Sequence, residues 1–382
     1  MEAGRHLETK EFAASPAGLY IHVPFCRSKC PYCHFYSSTS LGLIPDWLEA
    51  VKKEALLYQG LFSSFDTVYF GGGTPSLLSP PALGDLLEFF RNRFFLSEDC
   101  EITLEANPGD LDRATTRELR KTGINRLSLG VQSFSDEELM LLGRRHRVPD
   151  AVRSLEAGRA AGFDNLGMDL IFGLPGQRGS RWQETLTRAL TFRPEHISAY
   201  QLTPEEGTPL GNEVAQGRLR LWGEEESVQS FLETSRILES RGYLHYEVSN
   251  FARGENRISR HNRKYWQQVP YLGLGPSAHS FLNHRRWWNP ASLGDYLNRL
   301  ERGQKPVAGK EVLSPDQMRM ESLLLGFRNR GGVAVDQLRL TPASRAVLAE
   351  LQASKKINRQ KNRLIPTPQG YLLADRLPLF FC

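Results

Sequence analysis

Across its first two hundred or so residues, the chain alternates short apolar runs with longer amphipathic stretches, and that rhythm limits its fold more than any other feature. The runs LYIHVPF (19–25), DTVYFG (66–71), EITLEA (101–106), RLSLGV (126–131), LGMDLIF (166–172) and HISAYQL (196–202) read as strands. Helices are expected between them at 45–59, 79–93, 114–122, 136–142 with 149–162, and 180–191. Strand followed by helix, six times over and without a sequence repeat, implies an α/β protein with parallel strands and right-handed crossovers. The expectation is a partial (β/α)6 TIM-like barrel over residues 18–210, after an N-terminal tail at 1–17. A mixed extension follows at 211–311, then a small, mainly helical, winged-helix-like domain at 312–382.

The residues able to do chemistry fall where the strands end. A cysteine-rich loop follows the first run and GGGTP the second; Glu105 closes the third and Gln132 the fourth; Asp169 lies in the fifth, and Tyr200-Gln201 end the sixth. Parallel barrel strands bring their carboxyl ends to one face, so these segments converge on one cavity.

Cys26, Cys30 and Cys33 are spaced C-x3-C-x2-C. Three thiolates on one short loop can hold three irons of a [4Fe–4S] cube and leave the fourth iron without a protein ligand. Structural zinc would need a fourth ligand from His22, His34, Cys100 or Cys382, and the spacing favours the cluster. Five cysteines cannot all pair, and the polar start of the chain lacks the apolar segment of a signal peptide, so a cytoplasmic protein is expected. Cys100, at the opening of the third run, reads as a core thiol a strand's length away; Cys382 stays open as a ligand. Gly71-Gly72-Gly73-Thr74-Pro75 reads either as a loop presenting backbone to a bound amino acid or as a tight turn. Glu105 suits paired ribose hydroxyls or an ion pair. Gln132 and Arg144 offer polar contacts to a second ligand, and Asp169 reads equally as a buried acid.

In order, Y-x-H-x-P-F-C-x3-C-x2-C, GGGTP, LEANP, GVQSF and DLIFGLP resemble the radical S-adenosylmethionine (SAM) superfamily, over residue 18 to the C-terminus. The likeness is narrowest to the branch holding oxygen-independent coproporphyrinogen III oxidase and the heme chaperones of the HemW type. The resemblance implies that SAM chelates the open iron and that one-electron reduction cleaves it to methionine and a 5′-deoxyadenosyl radical, which requires an electron donor. It implies Cys26, Cys30 and Cys33 as cluster ligands, with Tyr20, Gly72, Gly73, Thr74 and Glu105 around the nucleoside. Gln132, Arg144 and Asp169 match positions that serve a second SAM in the oxidase.

The oxidase pattern continues as C-x3-C-x2-C-x-C, whereas this chain carries Phe35 at the last position, as on the HemW side; His34 departs from the aspartate common there. The run His261-Asn262-Arg263-Lys264-Tyr265-Trp266 resembles the HNxxYW motif of HemW, and YLGLGPSAHSF (271–281) follows as in that family. His261 could ligate heme iron beside a Tyr265–Trp266 wall, or be a hydrogen-bonded loop residue; the motif favours heme. Arg285 and Arg286 could pair with propionates or form a solvated pair. The implied function is a heme chaperone that passes heme to an acceptor such as a respiratory hemoprotein, with coproporphyrinogen III decarboxylation as the alternative. With 48 basic against 43 acidic residues the surface is mixed, so SKKINRQKNRL (354–364) reads as a solvated basic stretch with no nucleic-acid partner. No apolar run approaches the ~18 residues of a span, which leaves at most peripheral membrane contact.

Overall fold

A computed structural model of the protein describes residues 16–381. Cys382 and most of the expected tail lie outside the described residues, and Ala17 already belongs to the first strand. The alternation is present as β1 (Ala17–Val23), α1 (Ile44–Leu57), β2 (Ser64–Gly72), α2 (Pro80–Arg93), β3 (Phe95–Ala106), α3 (Arg113–Lys121) and β4 (Arg126–Gln132). It continues through α4 (Asp136–Leu141), α5 (Val148–Ala160), β5 (Leu166–Phe172), α6 (Gly179–Thr191) and β6 (His196–Gln201). Successive strands pair in parallel throughout.

Period-two alternation gives the sheet two unlike faces. Leu19, Ile21 and Val23 of β1, Val68 and Phe70 of β2, and Ile102 and Leu104 of β3 are buried in one apolar core with Trp47 and Val51 of α1 and Leu83, Leu87 and Phe90 of α2. The residues between them, Tyr20, His22, Thr67, Tyr69, Thr103 and Glu105, face a polar lumen. Cys100 sits mid-strand, because β3 begins earlier than expected, and it belongs to the apolar face; burial pushes its thiol up to about 12.

The segment expected as a mixed extension continues this sheet on both flanks. After α7 (Pro209–Ala215) and α8 (Glu224–Ser240), β7 (Leu244–Glu247) and β8 (Asn250–Ala252) add antiparallel strands beyond β6. Helix α9 (Arg260–Trp266) then leads into β9 (Tyr271–Leu274), which pairs in parallel with β1 on the opposite flank. β10 (His279–Leu282), β11 (Arg285–Trp288) and, after α10 (Leu293–Glu301), β12 (Gly309–Val312) extend that flank antiparallel. The result is an open sheet of 12 strands, ordered β12-β11-β10-β9-β1-β2-β3-β4-β5-β6-β8-β7.

Glu54 pins the new flank to α1. Its buried carboxyl accepts from Gly275 N (2.8 Å), Asn289 Nδ2 (2.6 Å) and Tyr296 Oη (2.7 Å), and burial pushes its pKa up to about 7. The C-terminal part has its own core around Leu323, Phe327, Leu364 and Phe381. It comprises α11 (Pro315–Gly326), β13 (Val333–Ala334), α12 (Pro342–Ala353), β14 (Ile357–Gln360), β15 (Arg363–Pro366) and α13 (Pro368–Tyr371), the strands forming a small antiparallel sheet. The basic stretch becomes the β14–β15 hairpin, with residues 358–363 exposed while Ile357 and Leu364 join the core. Among the described residues, no helix is long and apolar enough to cross a membrane.

Candidate functional site

The cysteine loop leaves β1 at Pro24 and is tied at its base. Cys26 N donates to Ser38 O (3.0 Å), and Ser38 N returns to Pro24 O (2.5 Å). Inside, Cys33 N closes a turn on Cys30 O (3.1 Å), and Pro31 O accepts from Leu210 N (2.9 Å). All three cysteines are free, half-buried, and line one cavity with Thr74, Asn107 and Arg144. Two of the sulfurs already act as acceptors: Thr74 Oγ1 donates to Cys26 Sγ (3.4 Å) and Arg144 Nη1 to Cys30 Sγ (3.7 Å). Burial, with the two neighbouring thiols behind it, pushes the Cys33 thiol up. The donor set, three thiols with an O–H and a guanidinium aimed at sulfur, fits thiolates ligating an iron–sulfur cube. Among the described residues, no group of three or more His, Cys, Asp or Glu is gathered closely enough to hold a single metal ion. His22, one candidate, is committed elsewhere: Nδ1 to Tyr20 Oη (3.1 Å) and Nε2 to Tyr36 O (3.1 Å).

The glycine run is dictated by how closely β2 passes under this loop. Gly73 N donates to Val23 O (2.8 Å), and a Cβ there would meet Phe25 O at 2.7 Å. Gly72 has φ +109°, and a Cβ would strike the His22 ring at 2.7 Å. Its amide donates to Glu105 Oε2 (3.2 Å), while Tyr69 Oη donates to Glu105 Oε1 (2.7 Å). Burial, reinforced by nearby Asp169, pushes Glu105 up to about 7 against those two bonds. Each carboxyl oxygen keeps a lone pair for a further donor.

Arg144 lines the same cavity from the other side; Gln132 and Arg144 crowd one face of Gly130, and the Arg144 charge acts on Asp169. Gln132 ends β4 with φ 66°, a left-handed backbone that a non-glycine residue adopts at a cost. Arg144 Nη2 donates to Gly130 O (3.0 Å) and to Asn107 Oδ1, bracing the cysteine loop against β3 and β4. Asp169 accepts from Ser128 Oγ (3.3 Å), and burial raises its pKa. Tyr200 keeps 42% of its surface accessible at the end of β6, facing the same lumen. Sequence reasoning missed Tyr69 and Asn107, which hold Glu105 and Thr74, although Tyr69 shares the inward phase of Gly71 and Asn107 stands in the LEANP motif. It also missed Arg126, buried at 2% exposure inside the lumen with no ion pair among the described residues, its charge acting on both Glu105 and Asp169.

His261 lies at the other end of the lumen. The Glu101 carboxylate takes the amides of Arg260 (3.2 Å) and His261 (3.0 Å) at the start of α9. His261 is 1% exposed, its Nδ1 bonded to Thr67 Oγ1 (2.8 Å), its Nε2 to Tyr265 Oη (2.9 Å), and its ring stacked on Tyr69 at 5.0 Å. Burial pushes its pKa down to about 3. Neither nitrogen can meet an iron here unless one of those bonds opens. Tyr265 and Trp266 do not form one wall: they line different cavities. Arg286 is held by Glu311 (3.0 Å) and Glu321 (2.7 Å) instead of standing free for a propionate.

Comparison with known proteins gives a consistent picture. The model of the Radical SAM superfamily matches residues 20–189. The heme chaperone HemW of Synechocystis is 38% identical over 333 residues, covering 85% of this chain and 80% of that one. HemW of Mycobacterium tuberculosis is 36% identical over 366 residues, covering 94% and 93%. Among solved structures, coproporphyrinogen III oxidase (HemN) from Escherichia coli, a radical SAM enzyme, superposes with a TM-score of 0.81 at 23% identity, over 96% of this chain and 90% of that one. That last likeness is one of fold.

Proposed function

Since this chain belongs to the HemW family of the radical SAM superfamily, we propose that it is a heme chaperone that holds a [4Fe–4S] cluster and SAM, binds heme, and passes it to an acceptor hemoprotein. The observation that carries this reading is the 38% identity to a relative named heme chaperone HemW, across 80% of that relative's length. When bound, the cluster would supply an iron open to SAM and a route for one electron from a donor protein.

Cys26, Cys30 and Cys33 would ligate three irons, with Thr74 and Arg144 stabilising negative charge on two of the sulfurs. Gly72 and Gly73 would bring backbone close to the amino acid end of SAM, beside Tyr20 and Thr74. Glu105, fixed by Tyr69 and Gly72, would accept from the ribose hydroxyls. Gln132, Arg144 and Asp169 would complete the polar side of the pocket. His261 could contact heme only after surrendering a bond, whereas Tyr265 of the same motif already faces a cavity.

Anaerobic reconstitution should give a brown protein with about four irons per chain. Heme should titrate it with a saturable Soret change, and the loaded protein should transfer heme to an apo-hemoprotein. Conversion of coproporphyrinogen III to protoporphyrinogen IX in the presence of reductant and SAM would overturn the chaperone reading in favour of the oxidase.

A further inference from the structure

We propose that the axial ligand for heme is His279, in an aromatic groove between the β9–β12 flank and α11, and not the buried His261; this rests on the heme-binding reading above. The groove is a cavity of about 510 Å³, within the ~300–1,000 Å³ range of cofactor pockets. Strand pairing builds it. His279 and Phe281 share one face of β10, opposite Trp288 and Arg286 of β11, while Tyr271 of β9 stands opposite Phe281. Trp288 stacks on the His279 ring (5.8 Å, 24°) and Tyr271 on Phe281 (6.2 Å, 29°). Gly309 of β12, paired with Trp288, carries no side chain, and one there would collide with the indole. Tyr265 closes the floor, edge-on to Tyr271 at 4.7 Å.

A flat, apolar macrocycle whose iron needs a nitrogen ligand is the occupant this chemistry selects. His22, His146, His196, His245 and His261 are all buried and hydrogen-bonded through their rings. His279 is exposed and makes no hydrogen bond through its ring among the described residues. Of the other exposed imidazoles among the described residues, which do not include His6, His34 belongs to the cysteine loop and His284 to the β10–β11 turn. Because Arg286 is shared by Glu311 and Glu321, the propionates gain nothing by facing inward and lie at the open side. His261 then acts on heme through Tyr265, which it positions, and not through iron.

The test is a ferric heme titration of the cluster-reconstituted full chain, read as difference spectra. Wild type should show a saturable Soret band of histidine-ligated heme. His279→Ala should bind about tenfold more weakly or worse, with a displaced Soret maximum that free imidazole restores. His261→Ala should keep the wild-type Soret position even where affinity falls. A His279→Ala protein with wild-type position and affinity overturns this inference and leaves the heme reading standing. A wild-type protein with no saturable change overturns both. Trp288→Ala, on the partly exposed strand β11, gives a second variant, expected to weaken binding without displacing the maximum.

Discussion

The two ends of the lumen along the inner face of the open sheet are built from the same strands and treated in opposite ways. At the amino end, α9 plugs the opening and its polar groups find partners: His261 with Thr67 and Tyr265, Lys264 with Asp66 (2.6 Å), Arg260 with Asp66 (3.2 Å) and Asp99 (3.0 Å). At the carboxyl end, three free thiols, a strained Gln132 and the raised carboxyls of Glu105 and Asp169 surround an opening. Parallel strands place all their carboxyl ends together, so a closed base and an unsatisfied mouth divide stability from chemistry along one axis. The ends also touch: His261 stacks on Tyr69, and Tyr69 holds Glu105.

The sharpest way to break this division is to remove a thiol. Alanine at Cys26, Cys30 or Cys33 should abolish nearly all iron retention after reconstitution, while leaving the unfolding free energy of the iron-free chain within about 0.5 kcal/mol of wild type. Iron analysis and denaturant unfolding check this together; retained iron in all three variants would end the cluster assignment. Next in size, Glu105→Gln should keep its iron yet weaken SAM binding by about tenfold or more, since an amide cannot accept from two ribose hydroxyls and from Tyr69 and Gly72 as a carboxylate does. Equilibrium dialysis with the cluster-loaded protein measures it, and unchanged affinity would remove Glu105 from the nucleoside site.

How far the sequence reveals each end follows from the range of the interactions. The mouth was legible because its residues sit in local motifs at strand ends: β5 is bounded as expected, at Leu166–Phe172, and the cysteine, glycine and Glu105 segments all reach one opening. The base was not. Thr67, Tyr69 and Glu101 meet His261 across more than 150 residues of chain, and nothing near His261 announces a buried ring. For the same reason β9 went unread: it is four residues long, carries Gly273, and becomes a strand only by pairing with β1. The first residue of β4, Arg126, gives no local sign that its side chain is inside.

Removing the plug should therefore cost stability and spare chemistry. His261→Ala leaves a cavity under Tyr69 and strips partners from the Thr67 and Tyr265 hydroxyls, for an expected loss of about 2–4 kcal/mol with iron content unchanged. Urea unfolding of equally loaded proteins measures the loss. A variant as stable as wild type, or one that loses its cluster first, would contradict the division between the two ends.

The smallest expected effect is in the pH dependence, where the two ends oppose each other. Glu105 titrates at about 7 in the folded chain against ~4.3 unfolded, so between those values the native state holds more protons, and its contribution makes stability fall as pH rises. His261 is held down to about 3 against ~6.5 unfolded, so there the unfolded state holds more protons and stability rises with pH. The windows overlap from roughly pH 4.5 to 6.5, and in wild type the two slopes partly cancel. Difference curves separate them. Relative to wild type, Glu105→Gln should gain stability as pH rises from about 4.5 to 7, and His261→Ala should gain it as pH falls from about 6.5. Thermal midpoints across that range are sufficient, and curves that stay parallel to wild type would show that neither group changes its protonation on folding.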